Sequence, residues 1–187
     1  MSAKDIIDIL EKTPVIAATD SQGWEKALKS EAEILFHLNA NIFTVPKEIA
    51  SAKQNNKAVF VHIDLTDGIG KDKTGIHWLA GIGADGIIST RSQLIRCAKE
   101  CGLLTVQRFF VLDSKGMHSI SKMIENTKPD LTEIMPGVIP KALKFFSEKG
   151  TPVIAGGLLE TKSEVTAALS SGAIAVSTGK SELWSVS

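Results

Sequence analysis

The 187-residue chain has no excess of charge of either sign: 21 Lys and Arg balance 21 Asp and Glu, for a formal net charge of zero. That balance leaves none of the overall positive field that nucleic-acid binders commonly carry. Arginine is scarce, limited to Arg91, Arg96 and Arg108. Each fork able to grip a phosphate or carboxylate is therefore worth placing. Cysteine is limited to Cys97 and Cys101. Four apart, they share one helical face, form no CxxC and have no histidine beside them, which reads as packing. No apolar run reaches the roughly 20 residues of a membrane span, and MSAKDIIDILEK lacks a secretory-leader pattern. A cytoplasmic location is the expectation. Walker, HExxH and CxxC motifs are absent, and no metal or cofactor is expected. No predicted strand contains lysine, which disfavours Schiff-base chemistry.

What is present is an alternation. Short apolar runs at 15–19, 33–38, 58–65, 86–90, 103–109, 131–135, 153–156 and 174–177 are separated by amphipathic stretches. AVFVHIDL, TPVIAG and AIAVST are nearly continuous apolar runs, as in parallel strands covered on both faces. Between them, Ile139, Ala142, Leu143 and Phe146 fall at helical spacing, and so do Met117, Ile120 and Ile124. Gly102, Gly150 and Gly172 each follow a helix and precede a strand. Eight strand–helix alternations predict an α/β fold, a single-domain (β/α)₈ TIM barrel over 1–187. A short N-terminal helix with Ile6, Ile7 and Leu10 is expected to close its bottom. The chain is short for this fold, so the loops must be minimal; an open flavodoxin-like sheet is the alternative. GADGIIST at 83–90 echoes SGAIAVST at 171–178, half a barrel apart.

Function in such a barrel lies at the C-terminal strand ends. The strongest signal there is the last pair of strands, where Gly156 and Gly157 follow one strand and Ser177, Thr178 and Gly179 end the next. Glycines admit close backbone approach, and the N–H groups of helix starts favour a dianion. Thr161 and Glu164 have capping-box spacing. His62 and Asp64 are predicted to point the same way by strand alternation, with Asp64 and Asp67 a weak metal alternative. Arg91, Gln107, Arg108 and Glu133 sit at other strand ends. Each arginine either holds a ligand or pairs with Glu133 or Asp64. His37, His77 and His118, with Trp24, Trp78 and Trp184, read as structural.

HIDLTDGI, GIISTRSQLIRCAKECG, TVQRFFVLDSKGM, EIMPGVIP, PVIAGGLLETKSEV and GAIAVSTGKSELW together resemble the glycerol-3-phosphate-responsive antiterminator family, from about Pro14 to Trp184. The resemblance implies a barrel that binds glycerol 3-phosphate as effector and then leader mRNA of glycerol uptake genes, a regulator rather than an enzyme. It implies phosphate contacts from Gly156, Gly157, Thr178 and Gly179, with Ser177 beside them among the ligand-binding residues. Asp64, Arg91, Gln107, Arg108 and Glu133 would line the mouth. RNA enters through the resemblance alone. Two lysine faces, Lys47/Lys53/Lys57 and Lys141/Lys144/Lys149, are its candidate surfaces. A phosphometabolite isomerase or lyase, with Asp64 or Glu133 as base, is the alternative, and a sensor acting through a protein partner is a third.

Overall fold

Eight parallel strands pair in sequence order and close, β8 against β1. A computed structural model describes residues 1–185; the last two residues of the predicted domain lie outside that range. The units run β1 (Val15–Thr19), α2 (Trp24–Lys29), β2 (Ile34–His37), α3 (Val45–Gln54), β3 (Ala58–His62) and α4 (Lys73–Gly81). They continue with β4 (Gly86–Ser89), α5 (Ser92–Glu100), β5 (Leu104–Phe110) and α6 (Ser114–Thr127). The last are β6 (Leu131–Met135), α7 (Pro140–Ser147), β7 (Val153–Gly156), α8 (Lys162–Ser170) and β8 (Ala175–Thr178), after a leading α1 (Ala3–Lys12). The loops are short: only Thr90 and Arg91 separate β4 from α5.

Strand alternation divides the core into two shells. Ile16, Phe36, Phe60, Ile88, Val106 and Ile154 fill the barrel, and Ile6 and Leu10 of α1 join them from below. Ser2 and Asp5 cap α1 reciprocally, which fixes where that plug begins. The alternate residues, among them Leu35, Val59, Ile87, Ile134 and Val176, pack outward under the helices. Cys97 and Cys101 are free thiols packed against this outer shell.

The two echoing segments do not occupy equivalent places. Ile88 faces the barrel interior, so Ser89 faces the helices. In β8, Ala175 is interior, so Ser177 faces in. A one-residue offset inverts the faces, and the shared Ser-Thr does two different jobs.

Candidate functional site

β5, β6 and β8 each send one polar side chain into the upper barrel. Arg108 follows Val106, Glu133 follows Leu131 and Ser177 follows Ala175 at two-residue spacing, so all three face inward. Arg108 Nε donates to Glu133 Oε2 at 2.5 Å, and Ser177 Oγ donates to Glu133 Oε1 at 2.5 Å. Glu133 is completely buried. A buried carboxylate needs such donors, since an unpaired one is strongly unfavourable in a dry interior.

β7 contributes space instead of a side chain. A Cβ on Gly156 would lie 2.5 Å from Glu133 Oε1 and 2.9 Å from Ser177 Oγ. Gly157 has φ +76°, and a Cβ there would meet the Met135 methyl at 2.7 Å. Above this floor opens a cavity of about 440 Å³, lined by Arg108, Glu133, Ser177 and the segments 157–160 and 178–180. Among the described residues, the N–H groups of Gly157, Leu158 and Gly179 take no hydrogen-bond partner. They are available to an anion at the cavity wall.

The helix starts contribute less than expected. Among the described residues, those after β8 form a 3₁₀ turn, Ser181–Leu183, and no α-helix. The start of α8 is occupied by its own chain: Glu164 accepts from the N–H groups of Glu160 and Thr161, each at 2.9 Å. The capping box at Thr161 is therefore present, and it uses donors that a phosphate would otherwise take. The groups at the cavity that could hold an anion are the glycine loops and two cations, Arg108 and Lys180. Lys180 lines the cavity and pairs across its edge with Glu160 at 3.3 Å. Sequence reasoning passed over Lys180, although it directly follows Gly179.

Several expected ligand residues stand elsewhere. Gln107 is the neighbour of Arg108 and so faces out, donating to Ser92 Oγ at 3.0 Å under α5. Thr178 also turns its hydroxyl away from the barrel axis, donating to Leu159 O at 2.7 Å and accepting from Lys180 N. It ties the loop after β7 to the loop after β8. Asp64 lies beyond the end of β3, on a 3₁₀ turn at Ile63–Leu65, so the strand alternation linking it to His62 does not apply. Its carboxylate accepts from Ser89 Oγ, Thr90 N and Thr90 Oγ1 and pairs with Arg91 at 3.2 Å. Those donors fill the oxygens that a metal shared with Asp67 would need. Arg91 and Asp64 form a rim clamp outside the cavity, as the ion-pair alternative has it, whereas Arg108 both pairs with Glu133 and lines the cavity.

His62 faces the barrel interior, buried, with Nδ1 unpartnered among the described residues. Burial first, and the Arg108 guanidinium second, hold its imidazole below the usual range. The unfolded chain protonates this histidine near pH 6.5, whereas the folded chain does so only at lower pH. The contribution of His62 to stability is thus complete above about pH 6.5 and declines below it, by at most about 1.4 kcal/mol per pH unit. Melting curves from about pH 8 to pH 5 are expected to show this decline, and to flatten in His62→Gln. Equal slopes in both proteins would remove His62 from this role. His37 has a structural place, bonded to Glu48 at 2.8 Å beside the Trp24 ring. Trp24 and Trp184 are buried, and Trp78 packs on the outer shell.

The lysine faces also change. Lys57 is buried and donates to Ser30 O and Ala32 O, and Lys53 pairs with Asp85 at 2.5 Å. Only Lys47 of that first group remains exposed and without a side-chain partner among the described residues.

Residues 15–184 match the family described as glycerol-3-phosphate responsive antiterminator. The uncharacterized protein YgcP of Escherichia coli (strain K12) is 34% identical over 184 residues, 97% of this chain and 96% of that protein. The glycerol uptake operon antiterminator regulatory protein of Listeria monocytogenes superimposes with a TM-score of 0.85 at 36% identity, covering 91% of this chain and 94% of that one. A glycerol uptake operon antiterminator-related protein of Thermotoga maritima gives 0.82 at 32% identity, over 92% and 98%. With an anion-ready mouth on a closed (β/α)₈ barrel and a family match along nearly its whole length, the chain belongs to the glycerol-3-phosphate responsive antiterminator family.

Proposed function

We propose that this chain is a cytoplasmic, cofactor-independent regulator that binds glycerol 3-phosphate in the barrel mouth and, so loaded, binds leader mRNA of glycerol genes. One observation carries the ligand reading: Gly157 and Gly179, whose N–H groups are unpartnered among the described residues, line one cavity together with Lys180, Arg108 and the Glu133 carboxylate. The phosphate takes the glycine loops and Lys180. The hydroxyl end turns toward Glu133, whose oxygens each keep a lone pair beyond the bond they already accept. Among the described residues no helix is long and apolar enough to cross a membrane.

The same geometry leaves an enzyme poorly equipped. Glu133 is held by Arg108 and Ser177, and Asp64 by four donors outside the cavity. Neither is poised as a base, and the family is one of regulators.

Thermal unfolding with glycerol 3-phosphate, against inorganic phosphate and glycerol, tests the ligand. At about 100 times its dissociation constant the ligand contributes roughly 2.7 kcal/mol, a rise of about 5–10 °C for a domain of this size. A shift no larger than that with phosphate would remove glycerol 3-phosphate from the reading. Lys180→Met is expected to weaken the ligand about tenfold, the usual scale of one half-exposed charge-assisted contact. Isothermal titration measures it, and an unchanged affinity would take Lys180 out of the site.

A further inference from the structure

Among the described residues nine large apolar side chains are exposed, and all but Met1 and Met123 lie on the rim around the cavity. Phe43, Leu65, Phe110, Leu112 and Leu158 are each more than half exposed, reaching 85% at Phe43 and 91% at Leu112. They come from the ends of β2, β3, β5 and β7. A chain that buries its core in two complete shells gains nothing in folding from that arrangement. Exposed apolar side chains gathered at one end of a barrel are the kind of surface that a binding partner covers.

The same rim carries cations. Lys47, Lys115, Lys141 and Lys162 occupy the first turns of α3, α6, α7 and α8, exposed and without side-chain partners among the described residues. The nearby carboxylates of Asp113 and Glu164 are turned back onto backbone N–H groups of α6 and α8 as caps. Exposed aromatic rings and lysines at the same end of the barrel suit a single-stranded nucleic acid, whose bases stack and whose phosphates pair.

We infer that the C-terminal rim of the barrel is the RNA-docking surface, with Phe43 and Phe110 as base-stacking platforms and the first-turn lysines as phosphate contacts. The assignment rests on the regulatory reading above. It also gives the effector a direct route to the RNA, because Leu158 both lines the ligand cavity and stands 67% exposed on the rim. Leu158 has φ +61°, a left-handed conformation that a leucine adopts only at a cost. Ligand contacts with its N–H and that of Gly157 stabilise this loop, and so the surface the RNA meets.

The test is binding of the leader transcript of the source genome's glycerol uptake genes, with saturating glycerol 3-phosphate. Phe43→Ala/Phe110→Ala is expected to weaken binding by at least about tenfold, while the melting shift with glycerol 3-phosphate stays as in the parent. In Lys115→Gln/Lys141→Gln/Lys162→Gln the salt dependence of binding is expected to fall by about 0.7 per lysine. Parent-like RNA binding in both variants would overturn the surface and leave the regulatory reading standing. A parent protein that binds no leader RNA even at low salt would overturn both. A dimer in sedimentation that the phenylalanine variant dissolves, with RNA binding unchanged, would make the rim an interface between copies instead.

Discussion

Arg108→Met is expected to lower the melting temperature by about 10 °C and to abolish stabilisation by glycerol 3-phosphate. The substitution leaves Glu133, fully buried, with Ser177 as its remaining donor. Breaking a buried pair from one side costs about 3–5 kcal/mol, because the surviving charge stays desolvated. It also removes a guanidinium from the cavity wall. The two losses separate in Arg108→Met/Glu133→Leu, where an apolar pair replaces the ionic one. That double variant is expected to recover most of the stability and none of the ligand response. If it melts as low as the single variant, the stranded charge is not the cause; if it responds to ligand, the cavity is not the site. Differential scanning calorimetry with and without ligand reads both.

The second large effect needs only one methyl group. Gly156→Ala places a Cβ where Glu133 Oε1 and Ser177 Oγ already stand, at 2.5 and 2.9 Å. Neither partner can move without losing a bond, since Glu133 is held at its other oxygen by Arg108 and both bonds that it accepts are at 2.5 Å. Overpacking of this kind costs about 1–3 kcal/mol, several degrees in melting temperature. The larger consequence is functional: the displaced carboxylate enters the cavity and the ligand-induced shift is lost. The control is Gly150→Ala, at a helix exit with φ +85° and no neighbour within 4 Å of the added Cβ. It carries backbone strain without the collision, and is expected to lose some stability while retaining the full ligand response. Equal ligand loss in both would show that general destabilisation, not the collision, removes binding.

The barrel was readable from the residues. Eight apolar runs with glycine stops at helical distances leave few arrangements for a chain this short, and the strands fall within one to three residues of their expected bounds. The largest difference is at β3, expected to run to Leu65 and ending at His62. HIDL continues the apolar pattern, but the backbone turns into 3₁₀ geometry to deliver Asp64 to the end of β4. No periodicity marks that turn, because its stabilising donors, Ser89, Thr90 and Arg91, come from more than two dozen residues away.

The site was half readable for the same reason. Gly156, Gly157, Ser177 and Gly179 announce themselves locally, and Arg108 and Glu133 stand out as charges inside apolar strands. Which of two adjacent polar residues enters the barrel is another matter. Gln107 and Arg108 both suit a mouth by type, and the closed sheet, by setting which residue of β5 shares a face with Val106, turns one toward ligand and the other under α5. The lysine faces follow the same rule: helical spacing groups Lys53 with Lys57, while Asp85 and the carbonyls of Ser30 and Ala32 claim both. Composition and periodicity by themselves determined the element order, the barrel and the glycine-rich end of its mouth, because those depend on residues near one another in the chain. Tertiary structure alone decided which charges are spent on one another and which remain for a ligand, because a side chain's partner depends on contacts between distant segments.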